Sequence, residues 1–331
     1  MPAPIRAPSG ALLVFAEARR GNCGDQTPKD VALSRSTDEG ETWSPLVRVL
    51  GDGAGNFTYR NPTPVFAADG TLLLNAVNSS SPRWASLQLV SRDEGATWGA
   101  PAPLAASLGA WDGILGGPGA GVALRAGTPG AGRLVLCGAT RYGGGAGGAH
   151  AGASNVLLSD DGGASWRAAL AAGFALPSSE CALTQLRNGS LLINFREEVA
   201  LPCRCRTQAR SDDGGETWTA PQPVPSLPEP VCSAGLLAPA AGADALFFSN
   251  PASETSRVNM TVRTSADGGG SWSGGTLVRA GPAAYSALVP LAGAGVAVVF
   301  ETGAVTPYEE IAFATIVAPG RAKGAAGRWL V

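Results

Sequence analysis

The sequence predicts an all-β molecule, a six-bladed propeller of four-stranded antiparallel blades, and three observations carry that prediction. One short motif recurs five times along the 331 residues. Its copies start at Ser36, Ser91, Ser159, Ser211 and Ser265, so successive spacings are 55, 68, 52 and 54 residues. Strand-like runs separate the copies, and a period of about 50 residues is the mark of a propeller blade, each blade a small four-stranded sheet. Dividing 331 residues by a period of about 55 gives six blades in one domain.

The motif itself has a physical reading. Its first copy is Ser36-Thr37-Asp38-Glu39-Gly40-Glu41-Thr42-Trp43, and the template is Ser-x-Asp-x-Gly-x-Thr/Ser-Trp. The Asp side chain can accept hydrogen bonds from the amides just after it and so close a tight turn. Gly supplies the positive φ that such a turn needs. Trp is a large apolar anchor that can pin the turn to its own sheet. The unit therefore reads as scaffold, a hairpin turn repeated once per blade.

Composition excludes several functions. The net charge is -2 and no basic block exists, which argues against a nucleic-acid partner. No run of 18 apolar residues exists, so no membrane span is expected. The stretch 143–152 is almost wholly Gly and Ala, too irregular for a phosphate cradle, and reads as a surface loop. Its His150 is the single histidine, which leaves no Ser-His-Asp triad and no histidine-based zinc site. Six cysteines in a chain this long do not make a disulfide scaffold, and Cys203 and Cys205 would share a strand face. No metal or cofactor is expected.

The repeated motif resembles the Asp box of sialidases (neuraminidases), and the resemblance sharpens along the chain. Residues 11 to 18 form a strand after the turn Pro8-Ser9-Gly10. Gly10, Leu12, Leu13, Phe15, Glu17 and Arg19 match a family segment that follows a Tyr-Arg-Ile-Pro motif. The matching register puts Met1 at the Ile and Pro2 at the Pro, so the arginine would precede Met1. That arginine is one of three that clamp the substrate carboxylate in the family. Arg6, about 20 Å farther along an extended strand, does not replace it. The expectation is a chain truncated inside its first strand.

The resemblance assigns further roles in order. Asp25, in the loop after Arg19, would be the general acid/base. A strand at 31 to 36 leads into the first box. Arg60-Asn61-Pro62-Thr63-Pro64-Val65 is similar to a segment whose Asn touches substrate, although it also reads as a proline-bounded strand entrance. Strands follow at 71 to 77, 86 to 91 and 133 to 138, with a Gly-Pro-Gly rim loop at 116 to 121. Alternation on either side of Asn188-Gly189 predicts a hairpin from Glu180 to Arg196. A two-residue turn would put those two side chains on opposite faces. A three-residue loop at 188 to 190 would put them on one face, and that form is expected.

By resemblance Glu180 activates the nucleophile and Arg196 is the second clamp arginine. Arg257 matches the third, and Tyr285, in Ala284-Tyr285-Ser286-Ala287-Leu288, matches the nucleophile. Glu301 matches the carboxylate that holds the first arginine and would here lack its partner. Arg19 and Asn61 complete the candidate substrate contacts. The Glu180-Cys181 pair and Cys203-Arg204-Cys205-Arg206 look like lysosomal sialidase in particular. The likeness runs from Met1 to a strand at 311 to 316.

The implied function is an exo-α-sialidase that removes terminal sialic acid from glycoconjugates. The alternative is an inactive Asp-box propeller that binds glycan or protein, because the first clamp arginine is missing. A lysosomal or secreted location is implied; the chain shows no signal peptide, and four sequons, at Asn56, Asn78, Asn188 and Asn259, permit a secretory route.

Overall fold

The computed structural model describes residues 1–25, 27–80, 85–104, 106–107, 111–117, 119–142, 152–170, 174, 178–198, 201–239, 245–293, 295–318 and 321–329. His150 and the Gly-Ala stretch up to residue 151 lie outside the described residues, as does Pro118.

The described residues build β-sheets in chain order. The first holds β1 (Pro2–Arg6), β2 (Leu12–Arg19), β3 (Lys29–Ser36) and β4 (Val47–Leu50), hydrogen-bonded in that order. The second repeats the plan with β5 (Tyr59–Phe66), β6 (Leu72–Asn78), β7 (Ala85–Ser91) and β8 (Ala102–Pro103). In the third, β9 (Ala106–Ser107) pairs in parallel with β14 (Trp166–Ala168). Its other strands are β10 (Trp111–Gly116), β11 (Val122–Ala123), β12 (Leu134–Tyr142) and β13 (Gly152–Ser159). The fourth is β15 (Ser178–Gln185), β16 (Leu191–Glu197), β17 (Cys205–Ser211) and β18 (Gln222–Pro228).

The last sheet has seven strands. They are β19 (Gly235–Leu237), β20 (Leu246–Pro251), β21 (Val258–Ser265), β22 (Thr276–Pro290), β23 (Val296–Thr302), β24 (Glu310–Ala318) and β25 (Arg321–Trp329). Among the described residues the propeller therefore has five hydrogen-bonded sheets as blades, not the six expected from the repeat period. The physical reason is β22. This 15-residue strand pairs with β21 through Thr276 to Pro282 and with β23 through Ala283 to Pro290. One continuous strand thus serves two groups of neighbours, and a length divided by a period overcounts the sheets. Among the described residues no helix is long and apolar enough to cross a membrane.

Each box occupies one kind of turn, that between the third and fourth strands of its unit: β3–β4, β7–β8, β13–β14, β17–β18 and β21–β22. In the first, Asp38 Oδ1 accepts from the Thr42 amide at 2.9 Å and from Ser36 Oγ at 2.7 Å. Gly40 has φ +90°, and a Cβ there would lie 2.3 Å from the Phe313 ring, so backbone and packing both require glycine. The box tryptophans do more than expected. Trp43 packs edge-on to Phe313 of β24 at 5.2 Å, Trp98 on Phe15 of β2 at 5.9 Å, and Trp166 donates to Gln88 of β7 at 2.9 Å. These three join neighbouring sheets as well as holding their own: Trp43 and Trp98 also donate to the Gly40 and Gly95 carbonyls of their turns, and Trp166 packs with Leu157.

Strands β1, β5, β15, β19 and β22 pack beside one another in part: β1 with β5 and β22, β19 with β15 and β22. Strands buried on both faces explain the apolar runs. In β2, Leu13 and Phe15 join one core cluster while Leu12, Val14 and Ala16 join another, shared with β23 and β24.

Candidate active site

The hairpin between β15 and β16 sets the first part of the site. Gln185 pairs with Leu191 and Cys181 with Phe195, and the Leu186 amide donates to the Ser190 carbonyl at 2.8 Å. The loop is therefore three residues long, Arg187 to Gly189, one position earlier than expected, and it puts Glu180 and Arg196 on one face. Arg196 Nη1 donates to Glu180 Oε2 at 2.7 Å. A bulge between Ser178 and Cys181 lies at this open end.

Tyr285 arrives on β22, where a register shift between Ala283 and Ser286 frees it from the ladder. Its hydroxyl donates to Glu180 Oε1 at 3.0 Å and accepts from Arg196 Nη1 at 2.7 Å. Arg257 enters from the turn before β21 and stands 5.4 Å from the Tyr285 ring centre. Arg257 is held from behind: Nη1 donates to the Tyr308 hydroxyl at 2.9 Å and Nη2 to the Val231 carbonyl at 2.7 Å. Val231 has φ +56°, a strained value for a β-branched residue, and that backbone aims the carbonyl at the guanidinium.

A cavity of about 410 Å³ opens over these groups. Asp25, Glu180, Arg196, Arg257, Tyr285, Arg19 and Glu301 all line it. Seven of the eight candidates are thus brought together from β2, the β2–β3 loop, β15, β16, β22, β23 and the turn before β21. Asn61 is set one layer back. It is buried, its Nδ2 donates to the Gly116 carbonyl at 2.7 Å, and it sits 3.4 Å from Glu180 Oε1. Glu301 lies beside the first strand, its Oε1 2.8 Å from the Met1 nitrogen. Asp25 is exposed, with Arg60 3.7 Å from its carboxylate.

Electrostatics follow from burial and these partners. Burial of its oxygen, then the Glu180 carboxylate, push the Tyr285 phenol well above its ordinary value, while Arg196 and Arg257 pull the other way. Burial alone would lower the Arg196 pKa, but Glu180, Tyr285 and Glu198 raise it overall. Arg257 is likewise raised overall despite its burial. Both guanidiniums stay charged, and the phenol stays neutral.

Several cavity residues went unread in the sequence: Arg60, Glu198, Tyr308 and Cys23. Behind them stand the buried Glu17 and Lys29. Tyr308 lies seven residues beyond Glu301 on the loop into β24, and nothing in local pattern marks it. Cys203 and Cys205 form a disulfide rather than sharing a strand face, because Arg204 between them takes φ +45°. Cys23, Cys137, Cys181 and Cys232 are free.

With this geometry in hand, the comparison with known proteins is specific. A family model described as a BNR repeat-like domain matches residues 10–298. The chain belongs to the sialidase family of BNR-repeat proteins. It is 29% identical over 310 residues to a sialidase of Bacteroides fragilis, covering 82% of this chain and 54% of that protein. An exo-alpha-sialidase of Aspergillus fumigatus is 30% identical over 305 residues, covering 81% of this chain and 67% of that one. A solved Hadza microbial sialidase superposes with a TM-score of 0.76 at 25% identity, over 90% of this chain and 62% of that one. This sialidase-family chain spans about half the length, 54% and 50%, of the first two curated relatives it matches.

Proposed function

We propose that this chain is one catalytic propeller with exo-α-sialidase activity, removing terminal sialic acid from glycoproteins, glycolipids or oligosaccharides. A single observation carries the reading: the Tyr285 hydroxyl sits between Glu180 at 3.0 Å and Arg196 at 2.7 Å, with Arg257 beside its ring.

Sialic acid bears a carboxylate on its anomeric carbon. Arg196 and Arg257 would bind that carboxylate, since a guanidinium is always charged and can grip it with two hydrogen bonds. A carboxylate nucleophile would be repelled there, and a neutral phenol is not. In the first step the Tyr285 oxygen bonds to the anomeric carbon as Glu180 takes the phenolic proton. The raised phenol pKa keeps the proton in place until that moment. The glycosidic bond breaks, and Asp25 gives its proton to the leaving oxygen. In the second step Asp25 takes a proton from water, water attacks the anomeric carbon, and Tyr285 leaves with its proton returned from Glu180. Two displacements retain the anomeric configuration.

The Glu180-Cys181 pair and the Cys203 to Arg206 stretch support a finer reading, a lysosomal-type sialidase in a lysosomal or secreted setting. A second reading is glycan binding without turnover. Among the described residues two arginines, Arg196 and Arg257, face the Tyr285 ring, and that pair is the observation in its favour. The test is hydrolysis of a fluorogenic α-sialoside, with proton NMR of the first-formed sugar. Turnover that releases the α-anomer first supports the proposal. Saturable sialoside binding with no turnover by a folded protein favours the second reading, and release of the β-anomer first would overturn the double displacement.

A further inference from the structure

Lys29, the first residue of β3, is fully buried behind the cavity, and the mechanism above gives it no task. A lysine that deep persists only with partners. Its Nζ donates to the Asp25 backbone carbonyl at 2.9 Å and lies 3.5 Å from Glu17 Oε2. Glu17 is itself buried and acts as a hub. Its Oε2 accepts from Arg19 Nε at 3.1 Å, and its Oε1 from the Asn61 amide at 3.0 Å. Arg19 Nη1 in turn donates to the Cys23 carbonyl at 2.7 Å. The loop that carries Asp25 thus hangs by two carbonyls from two cations, both seated on one carboxylate. The Asp25 side chain has a looser tie, the 3.7 Å approach of Arg60.

We infer that Lys29 is a positioning residue that grips the Asp25 carbonyl from its buried seat on Glu17 and so sets the acid/base carboxylate over the cavity holding Tyr285. The inference rests on the reading of Asp25 as acid/base. A proton donor must lie within hydrogen-bond reach of the leaving oxygen, and misplacement by about 1 Å can cost about 10²-fold. The lysine itself touches neither substrate nor the reacting atoms.

The test uses the full chain and two sialosides that differ only in leaving group. A sugar aglycone needs a proton to depart; a nitrophenyl aglycone does not. Asp25→Ala should lose about 10²- to 10⁴-fold in kcat/KM, which reports the aglycone-releasing step alone, on the sugar aglycone and far less on the nitrophenyl one. Lys29→Met should lose at least tenfold in kcat/KM on the sugar aglycone, with the nitrophenyl kcat/KM little changed. Equal losses on both substrates would overturn the inference, because a merely structural lysine has no leaving-group signature. If Asp25→Ala itself shows no leaving-group dependence, the reading of Asp25 falls instead. Should Lys29→Met fail to fold, Lys29→Gln keeps a polar end against Glu17 and is read by the same ratio. Failure of both variants to fold would overturn the inference in favour of a purely structural role.

Discussion

Tyr285 is held by a base and a cation at once, and each partner can be removed separately. Tyr285→Phe deletes the attacking oxygen but leaves Arg196 and Arg257 in place. It should lower kcat by about 10³-fold or more with little change in KM, read by steady-state hydrolysis of a fluorogenic sialoside. An unchanged kcat would remove Tyr285 from the chemistry. Arg257→Met acts on the clamp. It also leaves the Val231 carbonyl and Tyr308 hydroxyl without their donor. The expected loss in kcat/KM is about 30- to several-thousand-fold, as for about 2 to 5 kcal/mol of charge pairing. Asp25, Glu180, Arg196, Arg257 and Tyr285 were legible because each stands in a short motif. Lys29 was not, and Glu17 was legible only as a motif position. A charged residue in a strand reads as solvent-facing, and only the three-dimensional hub shows that both are buried partners. Asn61 was legible as a position but not as a layer: its φ of +49° and the bulge between Arg60 and Thr63 turn it behind Glu180.

At the scale of the element, the Glu180–Arg196 hairpin shows what alternation can and cannot fix. Side-chain parity demanded an odd loop, and the loop has three residues. Its position slipped by one, because Ser190 closes the turn by accepting from the Leu186 amide instead of lying within it. The boxes show a different limit. Five tryptophans were legible as anchors, but the partners of Trp43, Trp98 and Trp166 lie on neighbouring sheets, while Trp272 packs on Phe248 of its own. Trp43 and Phe313, 270 positions apart, join the first sheet to the last. Trp43→Ala should therefore loosen closure and lower stability by about 2 kcal/mol, below the range for a fully buried aromatic because the ring is half-buried. Equilibrium urea unfolding followed by circular dichroism measures this. A loss confined to a few tenths of a kcal/mol would mean that the ring contact contributes nothing beyond the turn itself.

The whole molecule was legible in class and less so in count. Repeats announce a propeller, yet hydrogen bonding decides how many sheets result, and β22 pairs with β21 and with β23 and so joins both into one sheet. The repeats also set how the molecule responds to acid. Hydrogen bonds from the Thr or Ser four residues on, first its hydroxyl and then its amide, hold Asp38, Asp93 and Asp161 down to about 2. Asp267 is lowered in the same way, and Asp213 is lowered despite its partial burial. An unfolded aspartate titrates at about 3.9. Depressed carboxylates stabilise the fold at every pH above the unfolded value, and that contribution drains away as pH falls through the folded one. Glu197 and Glu229, raised chiefly by burial, act in the opposite sense, but they are outnumbered by the five box aspartates and by other lowered carboxylates such as Asp52, Asp69 and Asp160. The melting temperature should thus hold steady from about pH 7 to 5 and fall steeply between about pH 4 and 2. Thr42→Val, which deletes the hydroxyl donor to Asp38, should lower stability at neutral pH and flatten part of the acid slope. Calorimetry from pH 7 to 2 decides the matter, and a melting temperature flat down to pH 2 would show that the boxes do not couple folding to protons.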